Sequence, residues 1–406
     1  MHGYGGLGAS GDLAQNQRVV SFLRGLPHAK VLNETGALER GPDALRRHGL
    51  SPLRLDPKEG LALVNGDNFS TAIALDVLYR VMQLLLANIA TGAWTIELLR
   101  GSNRAFHPLL SQVRSHAGQS EVSALYRQLL DGSRLAYQEL PGPRRRLPGE
   151  QVQDVYSLRC LSQFEGVMME TVRRALDVIT VNANSASDNP LWVPEEMATA
   201  GEEPWQWVSG GNFLAMHMAE TLDSLRKIIT QMIKRNDRHL ARLVSAADSN
   251  GLPPNLSIAG ETVSGCAFKG VQIQSGMLEV YSMVLAAPVT TLFGVCEERN
   301  QDITSHAVTS GLLALQNLEL LRYSLAGNWL ALAQATEFRG GAHLLSPRTQ
   351  PLYRFVRSQS EQVRSERALA PDIELLASSL KDGSAMQVIR EEVFHGDPAD
   401  NTYAEA

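Results

Sequence analysis

Cysteine is scarce. Only Cys160, Cys266 and Cys296 occur in 406 residues, with no Cys-x-x-Cys spacing. That excludes a disulfide framework and points to a reducing, cytoplasmic setting. Excess positive charge is lacking as well. Thirty-seven Lys and Arg against 43 Asp and Glu give a net charge of −6, so no basic footprint marks nucleic acid or an anionic membrane as a partner. The longest apolar run, Val280 to Val295, is broken by Ser282, Pro288, Thr290 and Thr291; it is too short and too polar to span a bilayer. The start, Met1-His2-Gly3-Tyr4-Gly5-Gly6, has neither the basic nor the apolar region of a secretion signal. Alternating apolar runs are nearly missing, Lys30–Leu32 and Leu53–Leu55 being the short strand candidates, and no repeat or low-complexity tract occurs.

What is present is helical periodicity. Hydrophobic residues make up 44% and charged residues 20%, an ordinary globular balance. Apolar residues recur at three- and four-residue steps in four long stretches. They are Ile73, Val77, Val81, Leu84, Leu85 and Ile89; Leu161, Phe164, Met168, Val172, Leu176 and Ile179; Leu222, Leu225, Ile229 and Met232; and Leu318, Leu321, Leu325, Trp329 and Leu332. Stretches this long favour a mainly α fold, a bundle of long, nearly parallel helices. Long Gly- and Pro-bearing loops separate them at Leu140–Gly149 (with the basic run Arg144–Arg146), Ser185–Gly211 and Ser249–Gly270. Loops of that length are usually functional or mobile. The acidic tail after His395 reads as a frayed terminus.

Two motifs compete near the N-terminus. Gly3-Tyr4-Gly5-Gly6-Leu7-Gly8 matches G-x-G-x-x-G, but no strand precedes it, so the dinucleotide reading is set aside. Gly8-Ala9-Ser10-Gly11-Asp12-Leu13 precedes a helical stretch, and its bland reading is an N-cap by Ser10 or Asp12. Five further polar blocks follow: Leu63-Val64-Asn65-Gly66, Gln153 to Cys160, Asn184-Ser185 with Asp188-Asn189-Pro190-Leu191, Gly210-Gly211-Asn212-Phe213, and Glu297 to Asp302.

With those blocks in that order, the sequence resembles the aromatic amino acid ammonia-lyase and aminomutase family, from Gly5 to about Phe394 and most strongly between Gly8 and Gln301. The resemblance implies a mainly α fold with a long-helix core and a small irregular N-terminal part carrying a prosthetic-group loop. The expected division is 1–60, a partial Ala-Ser-Gly domain; 61–345, the central helical bundle; and 346–406, a C-terminal helical region and tail. It implies that Ala9-Ser10-Gly11 cyclises on itself to 4-methylideneimidazol-5-one, with no metal and no nucleotide. Small residues permit the tight turn this needs. The implied reaction is non-oxidative loss of ammonia from an aromatic L-amino acid to an aryl acrylate. An amine is a poor leaving group and a β-proton a weak acid, so an electrophile, a base and fixed dipoles are all required.

Residue by residue, the resemblance implies that Asn65 hydrogen-bonds near the prosthetic group and the substrate. Tyr156 helps form and hold the ring, with Gln153 beside it. Arg159 clamps the substrate carboxylate, which suits a guanidinium fork. Phe213 lines the site, Glu297 receives the amino group, and Asn300 and Gln301 line the pocket. Outside this pattern Arg159 would read as a surface ion-pair partner, Phe213 as core and Asn65-Gly66 as an ordinary turn. Asp67, Ser162 and Gln15 depart from the family's usual threonine, proline and proline, and Asp67 brings a charge close to the site.

The family carries a segment ahead of the Ala-Ser-Gly loop with a mobile tyrosine base, whereas here eight residues precede Ala9 and Tyr4 lies too close to the loop to serve. A fragment, a chain supplying the missing part, and a catalytically silent structural subunit all stay open. Gln301 stands where the histidine branch usually has glutamate. A neutral amide offers imidazole no charge, so a phenylalanine- or tyrosine-like substrate is expected, with histidine and the aminomutase reaction to a β-amino acid as alternatives. The family forms tetramers with shared sites, so a homotetramer is expected.

Overall fold

The computed structural model describes residues 5–136, 153–260, 264–292 and 294–394. Gly3 and Tyr4, the basic run Arg144–Arg146 and the tail from His395 lie outside the described residues. The chain divides into two compact units: Met1–Leu78, Arg174–Leu225 and Ala287–Leu315 form the first; Tyr79–Arg173, Arg226–Ala286 and Gln316–Ala406 the second.

Helices dominate, as the periodicity predicts. The four long stretches become helices Asn68–Leu98, Leu161–Ala183, Met216–Leu243 and Ala307–Phe338. Helix Lys269–Leu285 is a fifth long element that the spacing did not single out. Among the described residues the strands are two small antiparallel pairs, Lys30–Leu32 with Leu38–Arg40 and Leu191–Trp192 with Trp207–Val208. Leu53–Leu55, expected as a strand candidate, is irregular. Its first residue, Leu53, donates its main-chain N–H to the carbonyl of Leu23, the last residue of helix Leu13–Leu23.

The helix Asn68–Leu98 corrects the sequence reading on apolar runs. It is long and apolar enough to cross a bilayer, with mean hydropathy 1.5 in an 18-residue window, 56% of it buried within the protein. Scattered Asn, Thr and Glu hid this run from a search for unbroken apolar stretches. Thr91 and Thr95 donate to the carbonyls of Ala87 and Thr91 at 2.7 and 2.8 Å, so they satisfy themselves inside the helix. From Ala87 to Leu99 every residue is buried. That is a core helix, buried on all sides. It ends in a Schellman pattern: Gly101 N–H reaches the Ile96 carbonyl and Arg100, left-handed at φ 53, reaches that of Glu97.

Within the second unit, two tryptophan–threonine bonds run in opposite senses between this helix and Ala307–Phe338. Trp94 Nε1 donates to Thr336 Oγ1 at 3.0 Å, and Trp329 Nε1 donates to Thr91 Oγ1 at 2.7 Å. Buried indoles need such partners for their N–H. Helices Ala117–Leu129 and Leu161–Ala183 approach back to back at Gly118 and Gly166. A Cβ on Gly118 would stand 2.1 Å from the Gly166 carbonyl oxygen, so no other residue fits without moving a helix.

The end of helix Asn68–Leu98 is also a charge site. Glu97 is wholly buried and accepts from the Ser346 N–H at 2.5 Å and the Thr349 hydroxyl at 2.6 Å, just ahead of helix Gln350–Gln359. Burial pushes its carboxyl up from 4.5 to about 7, the hydrogen bonds opposing it. Because the folded value exceeds the unfolded one, Glu97 adds most to stability below pH 4.5 and loses that contribution as pH rises through 7. Replacing it by Gln should therefore move the unfolding free-energy difference in the variant's favour by up to about 3 kcal/mol between pH 4.5 and 8. Urea titrations of both proteins across that range check it; a difference independent of pH would contradict it.

Candidate active site

The Ala9-Ser10-Gly11 loop sits just ahead of helix Leu13–Leu23 in the first unit. Glycines set its course: Gly8 has φ 126 and Gly11 φ 76, conformations that Cβ-bearing residues resist. The N-cap reading needs correcting. Asp12 occupies the cap position but its side chain makes no cap bond. It accepts instead from Ser70, N–H at 2.8 Å and hydroxyl at 2.5 Å. Burial pushes its carboxyl up from 3.8 to about 6; the nearby Asp67 charge pushes the same way, against the Ser70 bonds.

Three groups hold the triplet's backbone. Ala9 N–H donates to Gln301 Oε1 at 3.1 Å, the Ala9 carbonyl accepts from Ala215 N–H at 3.2 Å, and the Ser10 carbonyl accepts from the Ser305 hydroxyl at 3.5 Å. Ser10 is 4% exposed, and its hydroxyl oxygen accepts from Asp12 N–H at 3.3 Å. A cavity of about 10 Å³, enough for one water, lies between Gly6, Gly8, Gly11 and His306.

Glu297, Asn300 and Gln301 share one turn, closed by paired main-chain bonds between Cys296 and Gln301 at 3.1 and 3.2 Å. Glu297, Glu298 and Arg299 are all left-handed, φ 52, 54 and 71. Gln301 Nε2 donates to Glu297 Oε2 at 2.6 Å and Asn300 Nδ2 to the same oxygen at 3.4 Å. Gln301 thus joins the triplet to an exposed carboxylate, both ends of its amide engaged within the chain.

The remaining residues are placed as follows. Asn65 Nδ2 donates to the Asn189 carbonyl at 3.2 Å, and half-buried Phe213 lies in the turn ahead of helix Met216–Leu243. Asp67 is buried and accepts from Asn182 at 2.9 Å. Gln153, Tyr156 and Arg159 belong to the second unit, on and just before the four-residue helix Tyr156–Arg159. Arg159 Nη1 donates to Gln153 Oε1 at 2.8 Å, and its guanidinium stands 4.7 Å from the Tyr156 ring centroid. The Arg159 Nε is buried without a partner among the described residues, whereas Tyr156 is 72% exposed. The sequence reading missed Ala215, Ser70 and Ser305, which act through a main-chain N–H or a lone hydroxyl and leave no pattern of residue types. Among the described residues no group of three or more His, Cys, Asp and Glu is arranged to hold a metal.

Long helices with hardly any sheet carry a glycine-bent Ala-Ser-Gly loop held through its main-chain N–H and carbonyl groups. Residues 1–358 match the family model for aromatic amino acid lyases. The chain is 34% identical over 373 residues to a histidine ammonia-lyase of Burkholderia cenocepacia, covering 92% of this chain and 69% of that one. A histidine ammonia-lyase of Vibrio vulnificus is equally similar, 34% over 377 residues, covering 93% and 69%. Among solved structures, tyrosine aminomutase from Streptomyces globisporus matches with a TM-score of 0.85 at 29% identity, covering 96% of this chain and 74% of that one. Phenylalanine ammonia-lyase from Rhodosporidium toruloides shares the fold, with a TM-score of 0.82 at 23% identity, covering 95% and 76%. The chain belongs to the aromatic amino acid lyase family.

Gly8 tests how far the loop depends on this geometry. A Cβ there would fall 1.8 Å from Gln301 Oε1, on a backbone at φ 126. Gly8→Ala should cost about 1–3 kcal/mol, while Gly210→Ala, with open space around it, should stay within about 0.5 kcal/mol. Equal melting temperatures for the two variants would show that the loop is not held as described.

Proposed function

We propose that this chain eliminates ammonia from an aromatic L-amino acid, phenylalanine- or tyrosine-like, using 4-methylideneimidazol-5-one formed from Ala9, Ser10 and Gly11, the β-proton going to a tyrosine base of the kind the family carries on a segment ahead of that loop. One observation carries the reading: the Ala9 carbonyl, which the Gly11 nitrogen must attack, accepts a hydrogen bond from Ala215 N–H while Gly11 is left-handed. That bond polarises the carbonyl, and the bend brings the two ends of the triplet round. The Asp12 N–H at the Ser10 hydroxyl favours its loss as water. The residues present fit the group.

Once formed, the group supplies an electrophilic methylidene carbon that takes up the substrate amine. The chain's own residues then bind and orient. Arg159 meets the substrate carboxylate with a two-donor fork; among the described residues its Nε has no partner and its Nη1 holds Gln153. By the family resemblance, Tyr156 and Gln153 in the second unit and Asn65 and Phe213 in the first each contribute to binding and orienting the substrate. Glu297, held by Gln301 and Asn300, receives the amino group as a hydrogen-bond acceptor. Gln301 and Asn300 are neutral beside the substrate ring, which supports an aryl side chain. Histidine is the second reading, favoured by the names of the 34% identical relatives. The aminomutase outcome differs in amine re-addition. A homotetramer is supported by the row Ile273, Met277, Val280, Tyr281 and Val284, which helix Lys269–Leu285 leaves exposed.

Intact mass provides the direct test: ring formation removes two waters from the chain. Ser10→Ala should restore one hydroxyl-free, uncyclised mass, lose the near-ultraviolet band and abolish turnover, with little change in melting temperature. Turnover by that variant, or a parent chain of unmodified mass, would sink the proposal. A panel of phenylalanine, tyrosine and histidine then selects the substrate, and β-amino acid in the products marks the aminomutase.

Arg159→Lys separates clamp from scaffold. Lysine keeps the charge but loses the planar fork. A loss of about 2–5 kcal/mol in kcat/KM is expected, with turnover also falling as the substrate loses its orientation. A lowered melting temperature with unchanged kinetics would return Arg159 to the scaffold.

A further inference from the structure

The helix bearing Tyr156 and Arg159 is four residues long, and Cys160 at ψ 17 parts it from helix Leu161–Ala183. One turn of helix has little cooperative reason to keep its orientation. A buried side chain from another helix meets it. His239, on helix Met216–Leu243, places Nε2 at 2.7 Å from the Ser157 carbonyl.

The chemistry of that contact is specific. A carbonyl only accepts, so Nε2 carries the proton and donates. Burial, and the positive charges of Arg235 and Arg242, hold the ring's pKa down to about 3, the Ser157 bond opposing them. The imidazole is therefore neutral, and Nδ1 bears a lone pair. That lone pair is buried and has no partner among the described residues. An orphaned buried acceptor is costly, and an apolar side chain would fill the same space without it. What an apolar residue lacks is the single donor aimed at Ser157.

His239 is itself held firmly. Arg235, one turn earlier, lies 3.3 Å from the Glu165 carboxylate and donates to the Asn88 carbonyl at 2.8 Å. Beyond the Ser157 carbonyl the helix offers Arg159, whose Nε is buried and has no partner among the described residues, turned over the Tyr156 ring. A rigid group thus grips one side of a short turn, and the proposed carboxylate clamp projects from it.

We propose that His239 is a positioning residue, which orients the Tyr156–Arg159 turn through the Ser157 carbonyl so that Arg159 meets the substrate carboxylate. The proposal rests on the lyase reading of Arg159 given above.

Two amides of equal polarity and unequal reach test it in the full chain. In His239→Gln the amide nitrogen falls near the former Nε2; in His239→Asn it falls near Nδ1, short of Ser157. His239→Met fills the space with no donor. The Gln variant should keep KM within about threefold of the parent, while Asn and Met should raise it about tenfold or more, with a smaller change in kcat. Hydrogen exchange of the amides at 155–160 should quicken in Asn and Met but not in Gln. Gln and Asn behaving alike in KM and exchange, whether both intact or both impaired, would overturn the proposal. Should the parent turn over none of phenylalanine, tyrosine and histidine, the lyase reading fails. The exchange comparison still decides whether His239 holds the turn.

Discussion

Glu165 is a carboxylate placed where no water reaches, and the second unit is arranged to make that tolerable. Its oxygens accept from Tyr126 at 2.6 Å and Asn88 at 2.8 Å, with Arg235 3.3 Å away. These partners come from three other helices, so one desolvated charge joins four elements. Burial pushes the carboxyl up against those bonds and the Arg235 charge, and pushes the Tyr126 hydroxyl up as well. Such a group stabilises little in total, because desolvation offsets the attraction, but losing one partner leaves a charge stranded. The helices are held to a single relative placement by the penalty on every other one.

The first unit solves a different problem with different means. Its Ala-Ser-Gly loop is fixed almost wholly through main-chain atoms: Ala215 and Gln301 on Ala9, Ser305 on Ser10. Of the triplet's side chains only the Ser10 hydroxyl is engaged, by Asp12 N–H, and at Gly8 the missing Cβ leaves room for the Gln301 amide.

The helices were legible in the sequence because burial on one face forces a three-and-four spacing. Leu222, Leu225, Ile229 and Met232, read from spacing alone, are all buried. Where burial becomes complete, as from Ala87 to Leu99, the spacing fades and the apolar length of helix Asn68–Leu98 escaped notice. The blocks of the candidate site were legible as motifs; their support was not. Ala215 contributes a peptide N–H, which any residue but proline has. His239 contributes one ring nitrogen from an unremarkable helical position, and nothing in its neighbours announces Ser157. Asp12 read as a cap because caps are common before helices, yet a buried serine hydroxyl across the unit was the better partner.

The turn at Glu297 has the wrong hand. Three consecutive residues with Cβ atoms adopt the left-handed conformation, which costs roughly 1–2 kcal/mol each. The paired bonds between Cys296 and Gln301 hold its ends, while the Gln301 side chain reaches both Ala9 and Glu297. Let those ends part and the same residues would relax towards right-handed geometry, carrying the carboxylate elsewhere. One amide therefore ties the position of the Glu297 carboxylate to that of the Ala-Ser-Gly loop.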